Sequence, residues 1–573
     1  MKKIYNIIAA CLSVAMLASA CNKKLVEAPH STLTPEFLST AQGLIASTDA
    51  SYAGNRMLWG PQDFFNLTNA GTDEFLKGVD GDGNITSYNS NYNTSFGNVN
   101  NVWRYCYTYI NTCNAVIDFA PKVTTGIDSI SKARLIGECK FLRAQYYFIL
   151  AQFWGDVTLN LHFSSNPTTS ANRAPLADVY AAIVQDLKDA IVALPPTPTV
   201  ANVLPGKATG AAAKHLLAKV YLTRGWSKAA LADDFKNAYT VAIDLISNRN
   251  ALGLALQDDF AKVFAEGNEA NSEVLWTVQH TSNLAYNGSA TQNNSGPDNL
   301  LCHLYVPQYE NKGGMQRDVF YGRPYIRLVP TAWAYDTAFK EKSNDKRYNK
   351  TFQTVWYSNN ANNIPVWPTP LPAGAPAGAQ SGQPKFKYGD TCIYMPGTDA
   401  SDAKINAATY WLIPPRKYDN KLSPTVTKFF DTKRPDMNSP SIRPIIIYRL
   451  AETYLIAAEA LLKDGRAADA VPYINAVRER AAYPGGNVAA MDITAADVTL
   501  DFILDERTRE LYGENLRWFD LARTQTLINR VRLHNKEAAP NIKANKHELR
   551  PIPQAQIDAV TTGPVYTQNV GWF

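Results

Sequence analysis

The chain has 573 residues, 46% of them apolar, and carries 56 lysines and arginines against 51 acidic residues, a formal charge of +5. That length and apolar fraction support a large buried core and exclude a disordered or fibrous chain. No basic block argues for nucleic acid, and beyond residue 20 no run is apolar enough to cross a membrane.

Residues 1–20 hold two lysines followed by IIAACLSVAMLASA, a basic start, an apolar stretch and small residues ahead of Cys21. This pattern reads as an export signal. The small residues run directly into Cys21, which makes Cys21 the predicted lipidated first residue of a membrane-anchored mature chain. Leu17 stands one place further from Cys21 than in the usual lipobox, and simple secretion after Ala20 is the alternative. With Cys11 inside the export signal, the remaining cysteines, Cys106, Cys113, Cys139, Cys302 and Cys392, are odd in number and lack C-x-x-C spacing, so they read as neither a disulfide framework nor a zinc site. They read as buried small hydrophobes, with one disulfide left open.

The segment 52–103 is polar, aromatic and glycine-rich, with Trp59, Phe64, Phe65, Asp73, Glu74, Phe75, Tyr88, Asn91, Tyr92 and Phe96. Rings that stack and short polar groups that hydrogen-bond suit a sugar, so Trp59, Asp73, Glu74, Tyr88 and Tyr92 are candidate ligand contacts. Within it, DGDGN at 80–84 matches only the start of a calcium loop. Ile85 replaces the required glycine and Asn91 the bidentate glutamate, so no metal site is assigned.

Apolar and alanine positions recur at three and four over 99–118, 131–154, 176–194 and 208–224, which predicts paired helices. Ala208, Ala211, Ala212 and Ala218 leave room for a neighbour to approach closely, as in tetratricopeptide helices. From about 271 to 440 the pattern is lost in a segment rich in Asn, Gly, Pro and aromatics, including the spacer at 365–384. An irregular insertion of this length, mounted on a helical scaffold, is where a binding site is expected. Its candidates are Trp276, Tyr309, Tyr321, Arg323, Trp356 and Trp367, with Tyr305, Tyr325 and Trp411 beside them. For each single ring, packing of the loop onto the scaffold is the plainer reading.

A further helix pair is predicted at 445–463 and 467–482, where Glu452 and Glu459 share a stripe with Tyr448, Leu455 and Leu462. The segment 500–523, LDFILDERTRELYGENLRWFDLAR, repeats the anomaly more strongly. At about 100° per residue, Leu500, Ile503, Leu504 and Leu511 form one stripe that also holds Arg507, with Glu510 and Glu514 on or beside it. A charge on a core stripe is costly unless paired. The favoured reading is an ion-pair clamp between helices, with Arg507 holding Glu510 and Glu514, and with Arg478, Arg480 or Arg507 serving Glu452 and Glu459. The alternative is a carboxylate pair doing glycosidase chemistry, although such carboxylates flank a bond across a cleft and do not project from one face. The chain has no H-E-x-x-H and no G-x-S-x-G, which argues against metalloprotease and serine-hydrolase mechanisms.

Several ordered motifs resemble one family. ECKFLRAQYYFILAQFWGDV at 138–157, IYRLAETYLIAAEAL at 447–461, the 500–523 block, KHELRPIPQAQID at 546–558 and the closing QNVGWF are similar to those of the SusD/RagB family of Bacteroidetes outer-membrane lipoproteins. The resemblance implies a mostly α fold: four tetratricopeptide-like helix pairs as a scaffold, long irregular loop insertions, and a single large globular unit. It divides the chain into a signal peptide (1–20), an N-terminal helical region with early ligand loops (21–270), an aromatic-rich insertion (271–440) and a C-terminal helical region (441–573). It also implies a surface lipoprotein without enzyme activity or cofactor. Such a protein captures oligosaccharides, less often peptides, and delivers them as a lid to a SusC-like TonB-dependent barrel. The residues after Cys21, NKKLVE, depart from the acidic sequence common in surface-exported lipoproteins of that phylum. A repeat scaffold that binds only proteins is a third reading.

Overall fold

The computed structural model describes residues 35–198, 203–288 and 296–572, so the export signal and Cys21 lie outside the described residues. Among the described residues the helices of seven residues or more are α1 (Ala41–Trp59), α2 (Gln62–Asn69), α3 (Gly97–Phe119), α4 (Ser129–Trp154), α5 (Leu176–Ala193) and α6 (Gly210–Gly225). They continue with α7 (Asp234–Ser247), α8 (Leu450–Lys463), α9 (Ala467–Ala481), α10 (Leu500–Leu511), α11 (Arg517–Arg523) and α12 (Leu527–His534). None of them is long and apolar enough to cross a membrane.

Local chemistry sets the helix starts. Side chains of Thr40, Asp128, Thr209 and Thr499 accept hydrogen bonds from the backbone N–H three residues on, at 2.9–3.2 Å, and so cap α1, α4, α6 and α10. Each scaffold helix then packs on the next, α1 on α3, α3 on α4, and so on through α9. The result is four stacked tetratricopeptide-like pairs, α1/α3, α4/α5, α6/α7 and α8/α9, in a mostly helical single unit. Small residues permit the approach: Ala211, Ala212, Ala213 and Ala218 are buried, and a Cβ on Gly137 of α4 would lie 2.8 Å from that of Ala193 at the end of α5. The five cysteines described are buried free thiols.

The strands are short: β1 (Phe75–Lys77), β2 (Val274–Val278), β3 (Leu328–Pro330), β4 (Phe352–Gln353), β5 (Val355–Tyr357), β6 (Thr391–Tyr394), β7 (Trp411–Leu412), β8 (Thr425–Val426) and β9 (Ile445–Arg449). The predicted helix at 445–463 thus begins five residues late. The run Ile445–Ile446–Ile447 favours extended backbone, and β9 pairs antiparallel with β2, joining the insertion to the scaffold. The insertion has its own small core of Tyr309, Met315, Tyr321, Trp356, Ile393 and Met395 around the β5–β6–β7 sheet.

The predicted helix at 500–523 is broken at Leu511 and resumes at Arg517, with Gly513 (φ +77°) and Asn515 (φ +60°) turning the chain between. Glu514 therefore lies in a turn, not on the helical face of Glu510. Arg507 does not hold these two glutamates either. Its guanidinium reaches Glu452 of α8 at 3.0 Å and Asp520 of α11 at 2.7 Å. Glu506 and Glu510, one turn apart, face the other way: Glu510 takes Arg449 at 2.6 Å, Arg347 at 3.1 Å and Arg480, and Glu506 takes Arg347, Arg478 and Arg509 at 2.7–3.0 Å. Glu514 pairs with Lys428 at 2.6 Å and Arg449 at 2.9 Å. Glu452 also takes Lys219 at 2.8 Å, and Glu459 pairs with Arg523 of α11 and accepts the Trp226 indole N–H at 2.9 Å. Burial alone would raise Glu510, but Arg480, Arg449 and Arg347 outweigh it and hold its carboxyl at about 2.

Glu452→Gln leaves Lys219 and Arg507 short of counter-charge in a dry site and is expected to cost roughly 3–5 kcal/mol in urea unfolding. Lys262→Ala, which breaks the exposed Lys262–Asp258 pair, should leave the midpoint in place.

Candidate functional site

Two distant loops are sewn together beside the C-terminal end of α1. Leu300 N–H donates to Gly60 O at 3.1 Å, and a Cβ on Gly60 would lie 2.8 Å from Asn299 Cα. Gly78 N–H donates to Arg327 O at 3.0 Å, and a Cβ on Gly78 or Gly81 would collide with the carbonyls of Ile326 and Arg327. Next to this seam β1 pairs antiparallel with β3. The backbone N–H groups of Tyr325, Ile326 and Arg327 donate to His303, Val306 and Leu304 at 2.8–3.3 Å. So pinned, the β-branched Ile326 adopts φ +33°, a conformation costing on the order of 1–3 kcal/mol that persists only where the surroundings over-determine it.

The seam walls a cleft of about 650 Å³, lined by Gln62 and Asp63 from the start of α2, Asp80 from an early loop, Asn101 and Tyr105 from α3, and Arg317, Arg323, Tyr325 and Arg327 from the insertion. The volume is that of a small-molecule site. Arg323 and Arg327 lie against the Tyr325 ring, each 5.2 Å from its centroid. Arg327 also donates to Gln62 Oε1 at 2.9 Å and Asp80 O at 2.6 Å, and burial pulls its guanidinium below its ordinary range. Asn98 and Asn101 each donate to one oxygen of Asp63. The half-buried Tyr105 ring has the Arg104 guanidinium 4.7 Å from its centroid. Ring faces, amides and guanidiniums thus converge on one space without a nucleophile–base pair.

A larger cleft of about 860 Å³ lies between the ends of α4 to α6 and the C-terminal segment. Most of its charged groups are matched within the protein: Lys228 pairs with Asp156 at 2.8 Å, Arg523 with Glu459, and Arg173 donates to Asn569 at 2.6 Å. Glu548 Oε2 there is a buried acceptor without a partner.

The family model described as "SusD family" matches residues 262–572, more than half of the chain. The chain belongs to the SusD family. A second model, "Starch-binding associating with outer membrane", matches residues 72–222 of this SusD-family protein. It is similar to SusD-like protein P2 of Formosa agariphila, 26% identical over 555 residues, 93% of this chain and 94% of that one. A SusD-like protein of Bacteroides ovatus is 32% identical over 189 residues, about a third of each chain. Among solved structures, a laminarin-binding SusD-like protein matches with a TM-score of 0.67 at 24% identity, covering 93% of this chain and 99% of that one. Surface glycan-binding protein A from Bacteroides thetaiotaomicron matches with a TM-score of 0.63 at 20% identity, covering 93% and 99%. These likenesses show the fold.

Of the ligand candidates read from the sequence, Arg323 and Tyr325 line the polar cleft of this SusD fold, and Trp411 is partly exposed with its indole N–H on Gly313 O. The others are buried. Trp59 packs edge-on against Phe64 at 4.8 Å, and Trp276 packs on Phe141 at 4.9 Å with its indole N–H on Gly206 O. Tyr88 lies 4.7 Å from the His547 ring, and Tyr92 accepts from Arg550 at 3.0 Å. Tyr309, Tyr321 and Trp356 belong to the insertion's core, and Trp367 is buried with Lys385 over its ring at 4.6 Å. Gln62, Asp63, Asn101, Tyr105 and Arg327 went unnoticed, since nothing in their local pattern separates a cleft from open surface. Asp82 of the DGDGN segment caps a one-turn helix, accepting from Asn84 N–H at 2.8 Å.

Asp73 and Glu74 are buried neighbours with opposite charge preferences. Asp73 takes Arg517 at 2.6 Å and Arg530 at 2.8 Å. Burial would raise it, but these guanidiniums win and hold it at about 2. Glu74 is 3.6 Å from the Arg517 guanidinium already committed to Asp73, and burial pushes its carboxyl up to about 8. In the unfolded chain Glu74 ionises near 4.5, so between 4.5 and 8 the folded state holds the extra proton and stability falls as pH rises. Glu74→Gln should therefore match the wild-type unfolding midpoint near about pH 4 and exceed it increasingly up to about pH 8. Asp73→Asn should do the reverse, losing most at neutral pH and least near about pH 2, the low end of the Asp73 window.

Proposed function

We propose that this protein is a nutrient-binding lipoprotein that captures oligosaccharides in the cleft between its early loops and its insertion, then delivers them as a lid to a SusC-like TonB-dependent barrel. The observation that carries the reading is the convergence of the half-buried Tyr105 ring with Gln62, Asn101 and the arginines, two of them over the buried Tyr325 ring, in one cleft. Sugars offer apolar C–H faces and a rim of hydroxyls, and need both kinds of partner. The names of the similar laminarin-binding and surface glycan-binding proteins favour sugars over peptides. A Cys21 lipid anchor in the outer membrane, with the cleft facing the cell exterior, fits the family description that mentions the outer membrane.

The glycosidase reading finds no support at Glu510 and Glu514. Glu510 is sealed, held near 2 by three guanidiniums, and a general acid needs the opposite shift.

Calorimetry of the mature chain against a panel of oligosaccharides and peptides, with ligand masses followed in the same samples, is expected to find an oligosaccharide bound and returned unchanged. A shortened ligand would overturn the delivery reading. Tyr105→Ala should weaken that binding by roughly 1–3 kcal/mol, while Lys228→Ala, in the larger cleft, should spare it. Cys21→Ala should release the protein from the membrane, and the wild type extracted in mild detergent should bring a TonB-dependent barrel with it. Recovery of the lipoprotein alone under several detergents would count against the lid.

A further inference from the structure

Buried arginines in this protein are held by carboxylates or, like Arg434 and Arg550, by several neutral acceptors. Along α9 to α12, Arg478, Arg480, Arg507, Arg509, Arg517, Arg523 and Arg530 all have carboxylate partners. In the cleft the pattern changes. Neither Arg323 nor Arg327 forms an ion pair with any described residue, although both are partly withdrawn from water. Arg327 is fixed by Gln62 and the Asp80 carbonyl, both neutral acceptors, and the nearby Asp80 carboxylate offsets the cost of its burial only in part. Arg323 makes no hydrogen bond to the described residues and rests on the Tyr325 ring alone.

The acids of the cleft form no salt bridge with these two arginines, although Asp80 tempers the charge of Arg327. Both oxygens of Asp63 are taken by the amides of Asn98 and Asn101, and Asp80 is exposed. Arg317 adds a third guanidinium, held from one edge by Glu310 at 2.6 Å. Three guanidiniums thus border one space, two of them stacked on a single tyrosine whose backbone is pinned through the strained Ile326 segment. A planar guanidinium fork matches a carboxylate or sulfate in two parallel hydrogen bonds, and a neutral hydroxyl uses only part of that capacity.

We infer that the cleft selects oligosaccharides that carry an anionic substituent, a uronate carboxylate or a sulfate ester, and that Arg323 is the principal contact for that charge. The inference rests on the oligosaccharide-binding reading and specifies its substrate class. Arg323 supplies the free fork, Arg327 holds a second positive charge in place on the buried Tyr325 ring, and the half-buried Tyr105 offers a ring face to the neighbouring sugar.

The test uses the mature protein and sets of matched oligosaccharides on several backbones. Members of a set differ only in a hydroxymethyl, a carboxylate or a sulfate ester on one sugar. Calorimetry is run at about 50 mM and about 500 mM salt. On at least one backbone the acidic members should bind roughly tenfold or more tighter than the neutral one, with the advantage shrinking at high salt. Whether the carboxylate or the sulfate leads separates the two anion sources. Arg323→Gln should cost the acidic members roughly tenfold more than the neutral one, and Arg323→Lys should recover part of that loss. Thermal unfolding of both variants establishes that they are folded. If the neutral member of every set binds as tightly as its acidic counterparts, anion selection is wrong and the oligosaccharide reading survives. Acidic preference untouched by Arg323→Gln would overturn the assignment to that residue, and failure of every member to bind would overturn both readings.

Discussion

Glu510 is the point on which the structure closes. Its buried carboxylate is gripped by Arg347 from the insertion, Arg449 from the end of β9 and Arg480 from α9. Removing such ions from water costs several kcal/mol each, and the attraction repays this only when every partner is in place. Apolar surfaces slide against one another at little cost, whereas a buried guanidinium displaced by one turn is left uncompensated. The web around Glu506, Glu510 and Glu514 therefore fixes the register of α8, α9 and α10 against one another and against the insertion. A second cluster, Glu452 with Lys219 and Arg507, extends the same constraint to α6 and α11.

The scaffold and the recognition surface follow from that anchoring. With α10 and the insertion fixed, the 299–327 segment has one place to lie, and Gly60, Gly78 and Gly81 let the early loops press against its backbone. The strain at Ile326 is then borne by hydrogen bonds from three consecutive N–H groups. Arg323 and Arg327 of the cleft lie against the Tyr325 ring above this pinned backbone, with no salt bridge to a described carboxylate.

The sequence made some of this readable and hid the rest for identifiable reasons. Helices α3 to α6, α8 and α9 carry apolar or alanine stripes and were legible, as was the presence of buried charge at Arg507, Glu452 and Glu459. Helix α1 was not, because between Leu44 and Leu58 its buried face is Ser47, Thr48, Ser51, Gly54 and Asn55, which reads as surface. The isoleucine run of β9 satisfies a helical stripe as well as a strand, and the turn at Gly513 interrupts an apolar period that would otherwise continue. The identity of charge partners depends on which helices meet, so Arg523 for Glu459 and the three arginines on Glu510 could not be paired from spacing alone. In the cleft, Arg323 was legible as a charged residue within an aromatic insertion. The large rings around it, Trp356 and Tyr309 among them, fill the interior because rings of that size gain most from burial.

The charge web also sets an order of events during synthesis. Arg347, Arg449 and Arg480 leave the ribosome with Asp345 and Glu273 as their first partners, and their charge stays in excess until Glu506, Glu510 and Glu514 follow. Solvation holds the nascent insertion and the last helix pair open, while α1 to α7 have already been made. The segment 506–514 thus acts as a latch, and a ribosome that stalls before residue 506 releases a product whose guanidiniums are short of counter-charge.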